Sequence, residues 1–339
     1  MKREEKRKQD NIQKRKKVLK ILVILSLFLF ISVGGAAAYV VFKLESVATS
    51  SQQDLDRGIK SELRTETVNP SKDNISILLL GEDARPGETR ARTDAIVVAT
   101  FNKSDNSVIL TSIPRDTRVE IIGRGTLDKI NHAHAFGGVD MTIDTVENLL
   151  DIPIDYFVKL NFESFIQVVD ALGGVEIEVP FTFREKDTSN QWLTFEEGIR
   201  QLNGEAALAY VRMRKHPQGG GDLGRGQRQQ QMLKAIIDKS ASLSSITRFD
   251  DVINAVGDNL TMNLSFGNIV SLHSYANALH DIEMVQIGGN DLMLEGIYYF
   301  EPAPESVDDI RQLLRNHLQL ENKYVVSPEQ EKPIEISAQ

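Results

Sequence analysis

Apolar positions along this chain change their spacing several times, and each change marks an element. The longest apolar run, ILVILSLFLFISVGGAAAYVVF at 21–42, is free of charge. About 20 apolar residues span the hydrocarbon core of a bilayer, so the run predicts one N-terminal transmembrane helix. Polar residues dominate 43–72, which predicts a spacer with some helix and little packing. Three short stretches follow, ISILLLG, AIVVATFN and SVILTSIP, each apolar on both faces as in buried strands. YFVKLNF and VEIEVP alternate like strands. Helical spacing appears in MTIDTVENLLD, FESFIQVVDALGG, GEAALAYV, RQQQMLKAIIDKSASL, ITRFDDVINAVGDNL, FGNIVSLHSYANAL and SVDDIRQLLRNHL. Interleaved strands and helices predict an α/β fold, three-layer α-β-α with a central mixed sheet, over residues 73–321. The polar end, 322–339, is expected to fray.

Charge fixes the orientation. Residues 1–20 carry ten Lys or Arg against Glu4, Glu5 and Asp10, so removing that +7 from the formal net charge of −9 leaves −16 on the remainder. A basic tail ahead of the apolar run places the N-terminus in the cytoplasm and the body outside, a single-pass type II protein of the cell membrane. Gly35 and Ala36 to Ala38 also suit a cleaved signal peptide, and the body is extracytoplasmic in both cases. With no cysteine in the chain, this outer domain must rest on its core rather than on disulfides.

In α/β sheets ligands bind at the C-terminal ends of strands. Here ISILLLG leads into a loop with Asp83, Arg85, Arg90, Arg92 and Asp94, and SVILTSIP leads into Arg115 and Asp116. A third cluster is YVRMRKHPQGGGDLGRGQRQQQ. Arg212 and Arg214 share a side if the chain is extended there, and Arg225, Arg228 and Gln229 share the first turns of a helix opening after Gly224. Guanidinium groups beside a helix N-terminus suit phosphate, because the planar fork of donors stays charged when desolvated. Taken singly, each arginine equally suits a surface ion pair. Asp83 and Asp94 suit magnesium once phosphate and water complete the oxygen set, or else pair with Arg85 or Arg92. Zinc is disfavoured, since sulfur ligands are absent and the six histidines are scattered; His132 and His134, two apart on a helix, diverge. No G-x-S-x-G elbow is present. An acidic body speaks against nucleic acid as a partner.

The succession ILLLGEDARPG, RTDA, SIPRDT, KINHAHAFGG, VDALGGVEIEV, LNGEAALAYVRMR and DLGRGQRQQQ, behind one basic-flanked span, resembles the LytR-CpsA-Psr family of cell-wall proteins. The resemblance implies a membrane-anchored, magnesium-dependent phosphotransferase (manganese serving as an alternative) of Gram-positive envelopes. Such an enzyme moves an anionic glycopolymer, of the wall teichoic acid or capsular type, from a polyprenyl-pyrophosphate carrier to peptidoglycan. It further implies pyrophosphate binding by Arg92, Arg115, Arg212, Arg214 and Arg225 with Gln229, metal binding by Asp83 and Asp94, and a lipid pocket walled by FESFIQVVDAL, QMLKAII and ITRFDDVINAV. Asp94 and Asp116 are the candidates for accepting the attacking hydroxyl's proton. The same pocket with water as acceptor makes a lipid pyrophosphatase, and without turnover a receptor for lipid-linked glycans.

Overall fold

The computed structural model describes residues 39, 42, 43, 45–83, 91–241, 260–275, 278 and 282–320. The basic tail, nearly all of the predicted membrane span, the helix predicted at ITRFDDVINAVGDNL up to its last residue, and 322–339 lie outside the described residues. Among the described residues no helix is long and apolar enough to cross a membrane.

At the centre is a six-stranded mixed sheet, ordered β11 (Leu260–Met262), β6 (Tyr156–Asn161), β1 (Ile75–Glu82), β2 (Thr93–Asn102), β3 (Ser107–Ser112), β12 (Ile282–Gln286). β1 runs antiparallel to β2 and parallel to β6, and β3 runs antiparallel to β2 and parallel to β12. The apolar runs of β1 and β2 are continuous because both faces are covered. Leu78, Leu80, Ile96 and Val98 pack against Ile143, Val146 and Leu150 of helix α1 (Asn131–Leu150) and Ile310 and Leu314 of α6 (Pro304–His317). Ile75, Ile77, Val97 and Ala99 point the other way, into a cluster with Leu264 and Tyr275 that α5 (Phe266–Leu272) borders.

A third apolar cluster lies beside the sheet. It joins α2 (Phe162–Ala171), α3 (Gly204–Arg212) and α4 (Gly221–Ala241) to β7 (Val175–Val179), β8 (Phe183–Lys186) and β9 (Trp192–Phe195), and β10 (Gly198–Leu202) pairs with β7. Two further hairpins, β4 (Arg118–Ile121) with β5 (Thr126–Lys129) and β13 (Gly289–Leu294) with β14 (Ile297–Pro302), complete the fold.

Three elements depart from the sequence reading. Helix α1 begins ten residues ahead of MTIDTVENLLD and is interrupted at Gly137 and Gly138, the latter at φ 66° and ψ −150°, where glycine alone is unstrained. Helix α4 begins at Gly221, one turn ahead of the opening expected after Gly224, because its first turn, Gly221 to Gly224, carries glycines and Asp222 rather than an apolar stripe. The polar segment 45–72 packs closely. Leu55 joins the core beside α1, Arg57 Nη1 lies 2.8 Å from Glu147 Oε1, and Arg64 meets both oxygens of Asp155 at 2.9 and 2.7 Å. Composition misled here because arginines reaching buried carboxylates hold the segment alongside its few apolar side chains, Ala48, Leu55 and Val68.

Candidate active site

Sheet register gathers the polar groups at one end. Asp83 follows β1, Asp94 lies at the start of the antiparallel β2, and Arg115 and Asp116 follow β3. Because β6 is parallel to β1, Phe162 stands at this same end, and Arg212, closing α3, places its guanidinium 5.3 Å over the Phe162 ring. The chain then turns through Arg214 and the glycines, Gly220 at φ 68° and Gly221 at φ 59°, into α4, which presents Arg225 and Gln229 one turn apart. Gly224 is needed in that first turn, since a Cβ there would overlap the Gly219 carbonyl oxygen.

These elements enclose one cavity of about 700 Å³. Asp83, Asp94, Arg115, Arg212, Arg214, Arg225 and Gln229 all border it, as does Lys215, which the sequence reading passed over. Most of the rest of the wall is apolar, with Asn161 and Glu185 as polar members. Leu79, Val97 and Val158 line it from the sheet, Phe165 and Leu208 from α2 and α3, and Met232, Leu233 and Ile236 from α4. These residues lie further into the strands and further along α4 than the charged groups, so the cavity is cationic at one end and oily at the other.

The cations are held by interleaved carboxylates. Asp94 Oδ1 is paired with Arg115 Nη1. Asp116 takes Lys129 Nζ at 2.8 Å, with Arg115 Nε at 3.4 Å and Arg214 Nη1 at 3.6 Å. Asp222, in the first turn of α4, lies 2.7 Å from Arg225 and 3.3 Å from Arg214. Burial weakens the Arg115 charge, but Asp94 and Asp116 outweigh it and raise its pKa. Arg225 is lowered, first by burial and then by Arg115, and so carries positive charge that an anion would relieve. Gln229 Nε2 donates to the Asp94 carbonyl at 3.2 Å, tying α4 to β2.

The LytR_cpsA_psr family model matches residues 38–316. The chain belongs to the LytR-CpsA-Psr family. It is 43% identical over 324 residues to the polyisoprenyl-teichoic acid–peptidoglycan teichoic acid transferase TagT of Bacillus subtilis, covering 93% of this chain and 99% of that relative. TagU of the same organism, named for the same transfer, is 41% identical over 312 residues, covering 91% and 99%. Among solved structures, TagT bound to LI-WTA matches with a TM-score of 0.67 at 40% identity, over 79% of this chain and all (100%) of that one. TagT with bound octaprenyl pyrophosphate lipid matches at 0.64 and 38%, with the same coverage of 79% and 100%. The family match includes segment 45–72, in keeping with its packing on the domain.

Within this LytR-CpsA-Psr chain, several expected site residues sit elsewhere than the cavity wall. Arg228 is the clearest correction. It is buried, and it donates to the Gly219 carbonyl at 3.0 Å and the Met213 carbonyl at 2.5 Å. Three positions after Arg225 the helix has already rotated it away from Gln229's face, so it braces the glycine turn instead of facing an anion. Asp116 is 4% exposed and also outside the cavity wall. Burial disfavours its charge, but Lys129 and Arg115 overcome that and hold it below the usual carboxylate range, which makes it an anchor for cations and a poor base. Arg92 is exposed just ahead of β2, outside the wall, with its carbonyl accepting the Asp83 amide at 3.1 Å. Arg85 and Arg90 lie outside the described residues.

His132 and His134 diverge as their spacing requires: the first meets Asp128 at 2.8 Å, the second the Ala91 carbonyl at 3.0 Å. Sequence reasoning missed Tyr298, whose ring lies 5.1 Å from the Arg214 guanidinium and whose hydroxyl donates to Asp291 at 2.7 Å. A signal was available. Glu295 and Gly296, both at positive φ, form a two-residue turn between the paired strands β13 and β14, a backbone shape that suits a hairpin.

Proposed function

We propose that the protein is a membrane-anchored, extracytoplasmic phosphotransferase that moves an anionic glycopolymer from a polyprenyl-pyrophosphate carrier to peptidoglycan. One observation carries the reading: a single cavity joins four arginines, Arg115, Arg212, Arg214 and Arg225, to a long apolar wall. A ligand matching both must have a strongly anionic head and an oily tail, and a polyprenyl pyrophosphate has both. The polyisoprenyl-teichoic acid for which TagT and TagU are named, and the octaprenyl pyrophosphate bound in a TagT structure, support the same class.

A divalent cation fits the donors present. Among the described residues no cluster of three His, Cys, Asp or Glu stands ready for a metal. Asp83 and Asp94 nonetheless border the anion end together, and a hard cation such as Mg2+ or Mn2+ takes carboxylate oxygens along with phosphate oxygens and water. When bound it would neutralise phosphate charge and polarise the phosphorus.

The chain's own groups do the rest by position. Arg115, Arg212, Arg214 and Arg225, with Gln229, bind the pyrophosphate and stabilise charge that builds on its oxygens in the transition state. Arg225, largely desolvated and beside Arg115, is held by Asp222 in the free protein and would gain from an anion's added negative charge. A peptidoglycan hydroxyl attacks the phosphorus that bears the glycopolymer; the new P–O bond forms as the bond to the polyprenyl phosphate breaks. Asp94 is the better candidate for taking the hydroxyl proton, because it borders the cavity and Asp116 does not.

The test is to incubate full-length protein with magnesium, a polyprenyl-pyrophosphate glycan and peptidoglycan oligomers, and to seek the phosphodiester-linked product by mass spectrometry. Linkage by wild type, abolished in R115A and R212A proteins that remain folded, is expected. Release of glycan phosphate without linkage identifies a pyrophosphatase instead, and an unchanged but bound lipid identifies a receptor.

A further inference from the structure

The chain has one tryptophan, and it stands open to solvent at the edge of the cavity. Trp192 is 56% exposed on β9 and borders the cavity together with Glu185 and Lys215. Hairpin register sets Lys186 directly across from it, with Lys186 Nζ 5.2 Å and Arg184 Cζ 5.3 Å from the ring centroid. Both cations come from β8, on one flank of the indole. Among the described residues β9 pairs with β8 alone, and no described strand covers the other flank.

This shelf is rigidly mounted. On the underside of the hairpin Phe183 and Phe195 stack with centroids 4.7 Å apart and pack on buried Tyr210, two residues before Arg212. Its turn is clamped to the start of α3, where the Thr188 hydroxyl donates to Glu205 at 2.6 Å. The shelf and the arginine that meets the anion therefore move as one body. With −16 on residues 21–339, a surface carrying Arg184 and Lys186 beside an open indole, with Lys215 on the wall of the same cavity against the one carboxylate of Glu185, is a local reversal of charge.

We infer that the β8–β9 shelf is a glycan subsite, in which Trp192 stacks on a sugar ring of the donor while Arg184, Lys186 and Lys215 take the phosphates of the polymer. The inference rests on the transferase reading and adds to it where the polymer lies. Sugar rings present C–H faces that suit an indole, and phosphate repeats suit lysine and arginine. Trp flanked by basic residues also suits a bilayer surface. The glycan is favoured because the shelf borders the same cavity as the pyrophosphate arginines.

Because Trp192 is the sole tryptophan, emission from the intact protein reports this shelf alone. Full-length protein in neutral-lipid nanodiscs is titrated with lipid-free glycerol-phosphate-substituted oligosaccharide, with peptidoglycan fragments, and, separately, reconstituted with phosphatidylglycerol. Expected is a saturable emission change with the phosphate-bearing oligosaccharide, weakened about fivefold or more in R184Q/K186Q. In transfer assays R184Q/K186Q and W192A should raise KM for donor and leave kcat near wild type, with unchanged melting temperature. Response only to phosphatidylglycerol assigns the shelf to the membrane, and response only to peptidoglycan assigns it to the acceptor; either overturns the inference, as do shelf variants with wild-type KM. If wild-type protein transfers nothing but its emission still responds to the phosphate-bearing glycan, the transferase reading fails and the subsite stands.

Discussion

Asp222 Oδ1 lies 2.7 Å from Arg225 Nη2, and its other oxygen lies 3.3 Å from Arg214 Nη2, so one carboxylate holds two cavity arginines. Its side chain is buried, and Tyr298, whose hydroxyl is pushed well above its usual range by burial, then by Asp291 and Asp222, closes it from the β13–β14 side. Asp222 is thus a positioning residue for the anion site.

Replacing that carboxylate separates charge from shape. D222N should fold but let Arg214 and Arg225 drift, lowering polymer transfer by about tenfold or more, with most of the loss in KM for the donor. D222A should also lose about 3–5 kcal/mol of stability, since a buried ion-pair partner is left alone. Thermal melts paired with steady-state kinetics check both expectations.

Arg228 should behave differently from Arg115. R228A strips two hydrogen bonds from the carbonyls of Met213 and Gly219, each from a charged donor and worth about 1.5–3 kcal/mol. The melting temperature should fall while measurable transfer persists through a loosened glycine turn. R115A should remain folded, with a smaller drop in melting temperature than R228A because Lys129 and Arg214 still meet Asp116, and should abolish transfer. Equal loss of activity in two well-folded variants would place Arg228 in direct contact with substrate.

Acid should weaken the fold in two separate steps. Burial lowers the His134 imidazole below its ordinary 6.5, so its contribution is complete above pH 6.5 and is lost as pH falls below that value. Asp116 is held below its ordinary 3.8 because Lys129, Arg115 and Arg214 outweigh its burial. Its contribution is complete above pH 3.8 and is lost as pH falls through the lower folded value. Melting temperatures measured from neutral to acidic pH should show the first step shrink in H134N, with His317, lowered in the same sense by its burial, supplying the remainder, and the second step shrink in D116N.

Segment 45–72 is part of the domain's stability. A protein beginning at residue 73 lacks Leu55, Arg57 and Arg64 and leaves the buried Asp155 carboxylate without its guanidinium. It should melt well below a protein beginning at residue 45, and R64A alone should cost about 3–5 kcal/mol in chemical denaturation.

Periodicity in the sequence was enough for β1, β2, β3 and β6, for the second half of α1 and for most of α2, α3 and α6, because buried strands and amphipathic helices write their burial into local pattern. Spacing and residue type likewise picked out Asp83, Asp94, Arg115, Arg212, Arg214, Arg225 and Gln229, all of which border one cavity. What remained hidden depends on contacts between distant elements. Whether an arginine meets an anion or a carbonyl is decided by helix rotation, which set Arg225 toward the cavity and Arg228 toward the glycine turn. Whether an aspartate is a base or an anchor is decided by burial and neighbours, which enclosed Asp116 among Lys129, Arg115 and Arg214. A polar segment joined the core because its arginines found buried carboxylates some 90 residues away, a pairing that no local pattern records.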